Sequence, residues 1–161
     1  MQSDGIKMII DAENLICGRF ATIAAKKAIL GEHVDIINCE KAIITGERRN
    51  TIEKWKHRNT MGNPTKGPFI SKTPDRFVRR MIRGMVGHRS GTGREAYKRI
   101  MCYVGVPPEF EGKEIVTFKE ANVSKVPNNK YITVGELTME MKKWNWYKHL
   151  EREKEQLQEL L

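Results

Sequence analysis

The sequence predicts an α/β fold, and three consecutive segments make the case. Met8-Ile9-Ile10 is a short apolar run whose β-branched residues suit a buried strand better than a helix. From Gly18 to Leu30 the composition turns to the helix formers Ala, Lys, Ile and Leu, with Gly31 placed as a helix stop. Val34 to Cys39 is a second apolar run. A strand, a helix and a strand in this order imply a right-handed crossover between parallel strands.

The later elements follow from local signals. After Ile43-Ile44 and Thr45-Gly46, residues 47–58 are expected to form a basic helix with Ile52 and Trp55 turned to the core. Residues 59–72 hold Gly62, Asn63, Pro64, Gly67 and Pro68, which predict an extended basic loop. Thr73-Pro74 reads as a helix start, with Thr as cap and Pro at the first position, and that helix should run to about Val86. A second helix is expected from Arg94 to about Arg99, and a strand at Met101 to Val104 that ends at Gly105 and Pro107-Pro108.

Beyond this, Ile115 to Phe118 alternates within an otherwise charged stretch, and Pro127, Asn128 and Asn129 break it. Thr133 to Glu136 fits a capping box, so a C-terminal helix should begin there. Val134, Leu137, Met141, Trp144 and Tyr147 recur at helical spacing and are expected to pack rather than to stack on bases. Leu157, Leu160 and Leu161 are the few apolar anchors of the tail, whose order should depend on contact. The 161 residues therefore divide into a loose leader (1–7), a core (8–108) with its loop at 59–72, a connector (109–132) and a helical extension (133–161).

Several function classes recede on composition. No run approaches the roughly eighteen apolar residues of a spanning helix, and the first residues lack a signal peptide's apolar core, so the expected location is cytoplasmic and no membrane partner is expected. Cys17, Cys39 and Cys102 are odd in number and widely spaced, and are expected to be reduced packing residues. His33, His57, His88 and His149 are scattered without metal-ligand spacing, so no metal or cofactor is expected. No Ser, Cys or His sits in a nucleophile motif, so no catalytic residue, small-molecule substrate or obligate homo-oligomer is expected.

Charge supplies the positive signal. The chain carries +9 overall, but residues 48–99 hold fifteen Lys or Arg against Glu53, Asp75 and Glu95, a local net of +12. The rest of the chain sums to −3. Cations concentrated in this way suit a surface that displaces counterions from a polyanion, which puts nucleic acid first among partners. The candidate binding residues are Arg48, Arg49, Lys54, Lys56, Arg58, Lys66, Lys72, Arg76, Arg79, Arg80, Arg83, Arg89, Arg94, Lys98 and Arg99.

The sharpest part is the helix from Pro74 to Val86. At 3.6 residues per turn Arg76, Arg79, Arg80 and Arg83 fall on one side, and Phe77, Val78, Met81, Ile82 and Met85 on the other. Four arginines so close repel one another unless an anion covers them, and a guanidinium can fork two hydrogen bonds to one phosphate. A solvated face paired with acids from elsewhere is the competing reading. The stretch Gly84 to Arg94 is a glycine-rich loop ahead of a helix, where exposed amides can meet phosphate. It matches neither nucleotide-binding glycine pattern, so an RNA-backbone contact is preferred over a small nucleotide-binding enzyme or phosphotransferase.

Asp11-Ala12, Gly18-Arg19-Phe20-Ala21, Ile37-Asn38-Cys39-Glu40-Lys41 and Thr45-Gly46 stand in an order and spacing that resembles the universal ribosomal protein thirteen family of the large subunit. Pro74, Arg83-Gly84-Met85 and Tyr103-Val104-Gly105-Val106-Pro107 extend the resemblance over roughly residues 8–108. Gly135-Glu136-Leu137 and Trp144-Asn145-Trp146 look like the C-terminal extension of archaeal and eukaryotic members, which suggests an archaeal source. The family's usual Pro after Gly-Met and a hydrophobic residue is Gly87 here, and its usual Leu is Cys17. The resemblance implies a three-layer α/β/α core on a mostly parallel four-stranded sheet. It also implies a scaffolding role: binding large-subunit ribosomal RNA early in assembly, beside neighbouring large-subunit proteins. A non-ribosomal RNA-binding regulator would use the same basic surface.

Because the glycine-rich loop lacks a Walker lysine, calorimetry with ATP or GTP at micromolar concentration should show no saturable binding. A binding isotherm that disappears on changing Gly91 and Gly93 would reverse the reading of that loop.

Overall fold

The computed structural model describes residues 7–63, 65–127 and 130–142. The leader before Lys7, the residues Pro64, Asn128 and Asn129, and the extension from 143 with Trp144, Tyr147, Leu157, Leu160 and Leu161 lie outside the described residues.

The opening strand, helix and strand form as the sequence predicts: β1 (Lys7–Asp11), α1 (Cys17–Ile29) and β2 (His33–Ile37). β2 lies parallel to β1, with Met8 opposite Val34 and Ile10 opposite Ile36. Gly31 closes α1 in a positive-φ conformation (+105°) that a β-carbon would strain. β4 (Ile100–Cys102) joins the far side of β2, again parallel, to give the order β1-β2-β4. The class is thus α/β with a mostly parallel sheet. Its fourth position is a one-residue parallel bridge, in which the Val116 amide donates to the Ile9 carbonyl at 2.8 Å.

Alternation along the strands decides which face carries the helices. Ile10, Val34, Ile36 and Ile100 are fully buried in one cluster with α1, α3 (Pro74–Met85) and α4 (Gly91–Lys98). The small side chains Ala21, Ala24, Ala25 and Ala28 line the buried face of α1, so α3 can approach closely and seat Phe77, Val78 and Ile82. Ile9 and Ile37 point the other way, into a small cluster with Phe110 and Tyr103. Phe110 belongs to a single 3-10 turn, Pro108–Phe110. Among the described residues that turn stands where the expected three-layer arrangement would place a second layer of helix.

A second, antiparallel pair is formed by β3 (Ile43–Thr45) and β5 (Tyr131–Thr133), with Ile44 opposite Ile132. It delivers α5 (Val134–Lys142) to the side of α2 (Arg48–Thr60) and α3. Val134, Leu137 and Met141 are buried in the main core, as their spacing predicts. The capping box forms by half. Thr133 Oγ1 accepts from the Glu136 amide at 3.2 Å, whereas the Glu136 carboxylate turns to Arg48. Ile52 and Trp55 of α2 are half-buried against the core, and the Trp55 ring meets Phe77 edge-on at 4.7 Å between centroids.

Three expectations are corrected. Thr73 precedes α3 in extended conformation, but its hydroxyl makes no cap and is buried without a partner. A cap there would serve the Asp75 or Arg76 amide, and neither donates to the Thr73 hydroxyl. α4 begins at Gly91 rather than Arg94, because Ser90 Oγ accepts from the Gly93 amide at 3.0 Å and nucleates the helix inside the glycine-rich stretch. Met85 is exposed (42 %) rather than in the core, since α3 ends there and its last turn overhangs α1.

Gly93 packs directly on the Val86 and Gly87 carbonyls, so Gly93→Ala should force α4 away from α3 and cost roughly 1 to 3 kcal/mol in urea unfolding. Phe77, at 2 % exposure, should cost roughly 3 to 5 kcal/mol on change to Ala in the same measurement.

Candidate nucleic-acid interface

The basic residues of the middle third fall into two groups, those the protein itself engages and those it leaves to solvent. On α2, Arg48 lies 3.9 Å from Glu136 and Lys56 lies 3.1 Å from Glu140, which ties α2 to α5. Arg49 pairs with Glu53 one turn on, at 3.0 Å, and the Arg58 guanidinium sits 5.0 Å from the Trp55 ring centroid. The exposed ion pairs contribute little to stability but lower the charge left for a partner, whereas the neutral Trp55 ring leaves the Arg58 charge in place. Arg99 is structural. It is half-buried, donates to the Ala28 carbonyl at the end of α1 at 3.2 Å, and approaches Glu95 at 4.0 Å.

The arginine row of α3 is anchored at its two edges. Arg79 lies over the Tyr97 ring of α4, 4.6 Å from its centroid, with its Nε buried and without a hydrogen-bond partner. Arg80, on the opposite edge, donates to the Phe69 carbonyl and holds the loop before α3. Arg76 and Arg83 occupy the middle, exposed. The four arginines therefore share a face, as their spacing predicts, but two of them also serve the fold.

Among the described residues Arg76, Arg83, Arg89, Arg94, Lys54, Lys66 and Lys98 are exposed and make neither an ion pair nor a side-chain hydrogen bond to protein. Lys72 is half-buried beside a hollow of about 590 Å³ between the end of α2 and the following loop. Among the described residues Lys72 is the one ionisable side chain lining that hollow, whose other walls are Asn, Thr, Gly and apolar residues. It brings no acid and base together.

Sequence reasoning passed over His88, which carries no formal charge at neutral pH. It stands among Arg83, Arg89 and Arg94, and its pKa is held below the usual imidazole value, first by reduced hydration and then by those three cations. Its neighbour in sequence, Arg89, was the available signal. The cysteines behave as packing residues: Cys17, Cys39 and Cys102 are free and buried, and burial pushes the Cys17 thiol up to about 12. Among the described residues no group of three His, Cys, Asp or Glu is arranged to hold a metal ion, and no helix is long and apolar enough to cross a membrane.

Fold and surface together define a small basic α/β protein whose cations are spread over helix faces rather than gathered around a cavity. The family model for ribosomal protein L13 matches residues 6–109, and the chain belongs to that family. It is 42 % identical over 135 residues to large ribosomal subunit protein uL13 of Methanopyrus kandleri, spanning 83 % of this chain and 85 % of that protein. The uL13 protein of Methanosarcina barkeri is 39 % identical over 134 residues, 83 % of this chain and 96 % of the relative. That of Methanococcus maripaludis is 41 % identical over 136 residues, 81 % and 94 %. The resemblance read from the motifs is a family membership, these three relatives are archaeal, and a ribosomal protein works in the cytoplasm.

The two groups of arginines should separate in thermal and urea unfolding. Arg99→Ala removes a charged hydrogen bond to a helix end and should cost about 1 to 3 kcal/mol. Arg76→Gln should stay within about 0.5 kcal/mol of the parent.

Proposed function

We propose that this chain is a scaffold protein of the large ribosomal subunit, which binds large-subunit ribosomal RNA through the exposed α3–α4 surface and joins the subunit early in its assembly. The observation that carries the reading is the group of Arg76, Arg83, Arg89 and Arg94, exposed and without acidic partners among the described residues. Held on α3, α4 and the turn between them, these side chains repel one another in the free protein. Phosphates relieve the repulsion and release counterions from the RNA. Lys54, Lys66, Lys72 and Lys98 extend the surface, and shape rather than base identity sets the choice of RNA. The chemistry is neutralisation and positioning, so the protein acts without catalysis, and its neighbours are ribosomal RNA and other large-subunit proteins.

Arg79 and Arg80 are engaged by Tyr97 and Phe69, so the informative pair for mutagenesis is Arg76 and Arg83. The double change to Gln should leave the melting temperature nearly unchanged and weaken binding to large-subunit RNA fragments. It should also flatten the log-log salt dependence by about 0.7 to 0.9 for each phosphate that is no longer neutralised. Unchanged affinity and slope would remove these arginines from the interface.

His88 gives an independent readout. Phosphate beside Arg83, Arg89 and Arg94 offsets the field that favours the neutral ring, so the imidazole pKa should rise when RNA binds. Binding then takes up protons, and affinity should increase as pH falls toward the imidazole range. An NMR titration of His88 with and without RNA measures the shift, and an unmoved pKa would place the RNA elsewhere.

A further inference from the structure

On the side of α3 away from Arg76 and Arg83, the helix ends leave an apolar groove. Thr22, Ala25, Lys26, Ile29 and Leu30 of α1 and its C-terminal cap line it with Met85 of α3, around a volume of about 290 Å³. Leu30 is 68 % exposed, Ile29 46 % and Met85 42 %. Three large aliphatic side chains converging at this exposure make a contiguous patch of the kind that marks a contact site rather than scattered surface residues. Thr22 Oγ1 lies 3.7 Å from the Met85 sulfur, so the two walls of the groove touch.

The surrounding charge states what kind of partner fits. α1 carries no acid, and the arginines of α3 lie on the far side of that helix, so the charge at the groove is set by the lysines at the end of α1. Lys27 is occupied by Glu32 at 2.9 Å, whereas Lys26 lines the groove and is exposed. Among the described residues the lining has no aromatic ring on which a base would stack, and single-stranded RNA gains its sequence-tolerant affinity from such rings. An aliphatic pocket with a cationic rim instead complements an apolar anchor flanked by acids.

We propose that this groove receives a short acidic segment of another large-subunit protein, inserting a bulky apolar side chain between Ile29, Leu30 and Met85 with its carboxylates toward Lys26. RNA and protein would then meet opposite sides of α3. The inference rests on the chain's place in the large subunit, and the test separates the two.

A photoreactive phenylalanine analogue is placed at position 30 in one full-length variant and at position 76 in another, and each is crosslinked within large subunits purified from cells expressing it. The expected result is an RNA adduct from position 76 and a protein adduct from position 30. The captured peptide, mapped by mass spectrometry, should carry net negative charge around a bulky apolar residue. Adding Lys26→Glu should lower the yield from position 30 severalfold without changing that from position 76. Adducts to RNA or to a basic peptide from position 30, or none there while position 76 labels RNA, overturn the groove proposal. Failure of position 76 to label RNA counts against the RNA-binding surface instead.

Discussion

The close packing of α3 on the alanine face of α1 is the contact on which the other features depend. Ala21, Ala24, Ala25 and Ala28 are small enough for the two helices to approach over the parallel sheet, so Phe77, Val78 and Ile82 are buried together with Ile10, Ile36 and Ile100. Burying that side of α3 fixes the rotation of the helix. The arginines at the remaining positions have no alternative but the surface, because desolvating a guanidinium without a partner costs far more than any packing gain at one residue. Core and cationic face are therefore one decision made by one helix.

The same packing sorts the arginines. At the edges of the row the neighbours are within reach, so Arg79 lies on Tyr97 and Arg80 on the carbonyl of Phe69. In the middle no acid or carbonyl of the described residues is within reach, and Arg76 and Arg83 keep their full charge toward solvent. A set of like charges cannot relax on a rigid helix, which suits it to a ligand that brings many negative charges at regular spacing. The ties from α2 to α5, Arg48 to Glu136 and Lys56 to Glu140, perform a different task. They orient the last described helix against the core.

The far face of the sheet follows another logic. Ile9 and Ile37 are covered by Phe110 from a single 3-10 turn, and Asp35 among them is 2.9 Å from Lys7. A short segment can close this face because the exposed strand surface there is small: β4 contributes three residues, and its outward Met101 stays partly in solvent. The connector also returns at Val116 and Ala121 to β1 and the main core, so residues far apart in sequence complete the same sheet.

Taken alone, the sequence determined what depends on local pattern and total charge. Continuous apolar runs around an alanine-rich helix specified the parallel unit, the period of Phe77, Val78 and Ile82 specified the buried side of α3, and the surplus of Lys and Arg specified a basic surface. The family motifs were legible for the same reason, being short and contiguous. Tertiary structure decided what depends on which side chains come within a few ångströms of one another. It turned Arg99, Arg79 and Arg80 partly to structural use, left the Thr73 hydroxyl uncapped and unpaired, started α4 at Ser90's hydrogen bond, and put Met85 at the edge of a groove instead of in the core. Spacing along a helix gives the direction of a side chain but not what stands opposite it, and the partners here, Ala28, Phe69 and Tyr97, are supplied by segments whose approach is fixed by the packed core.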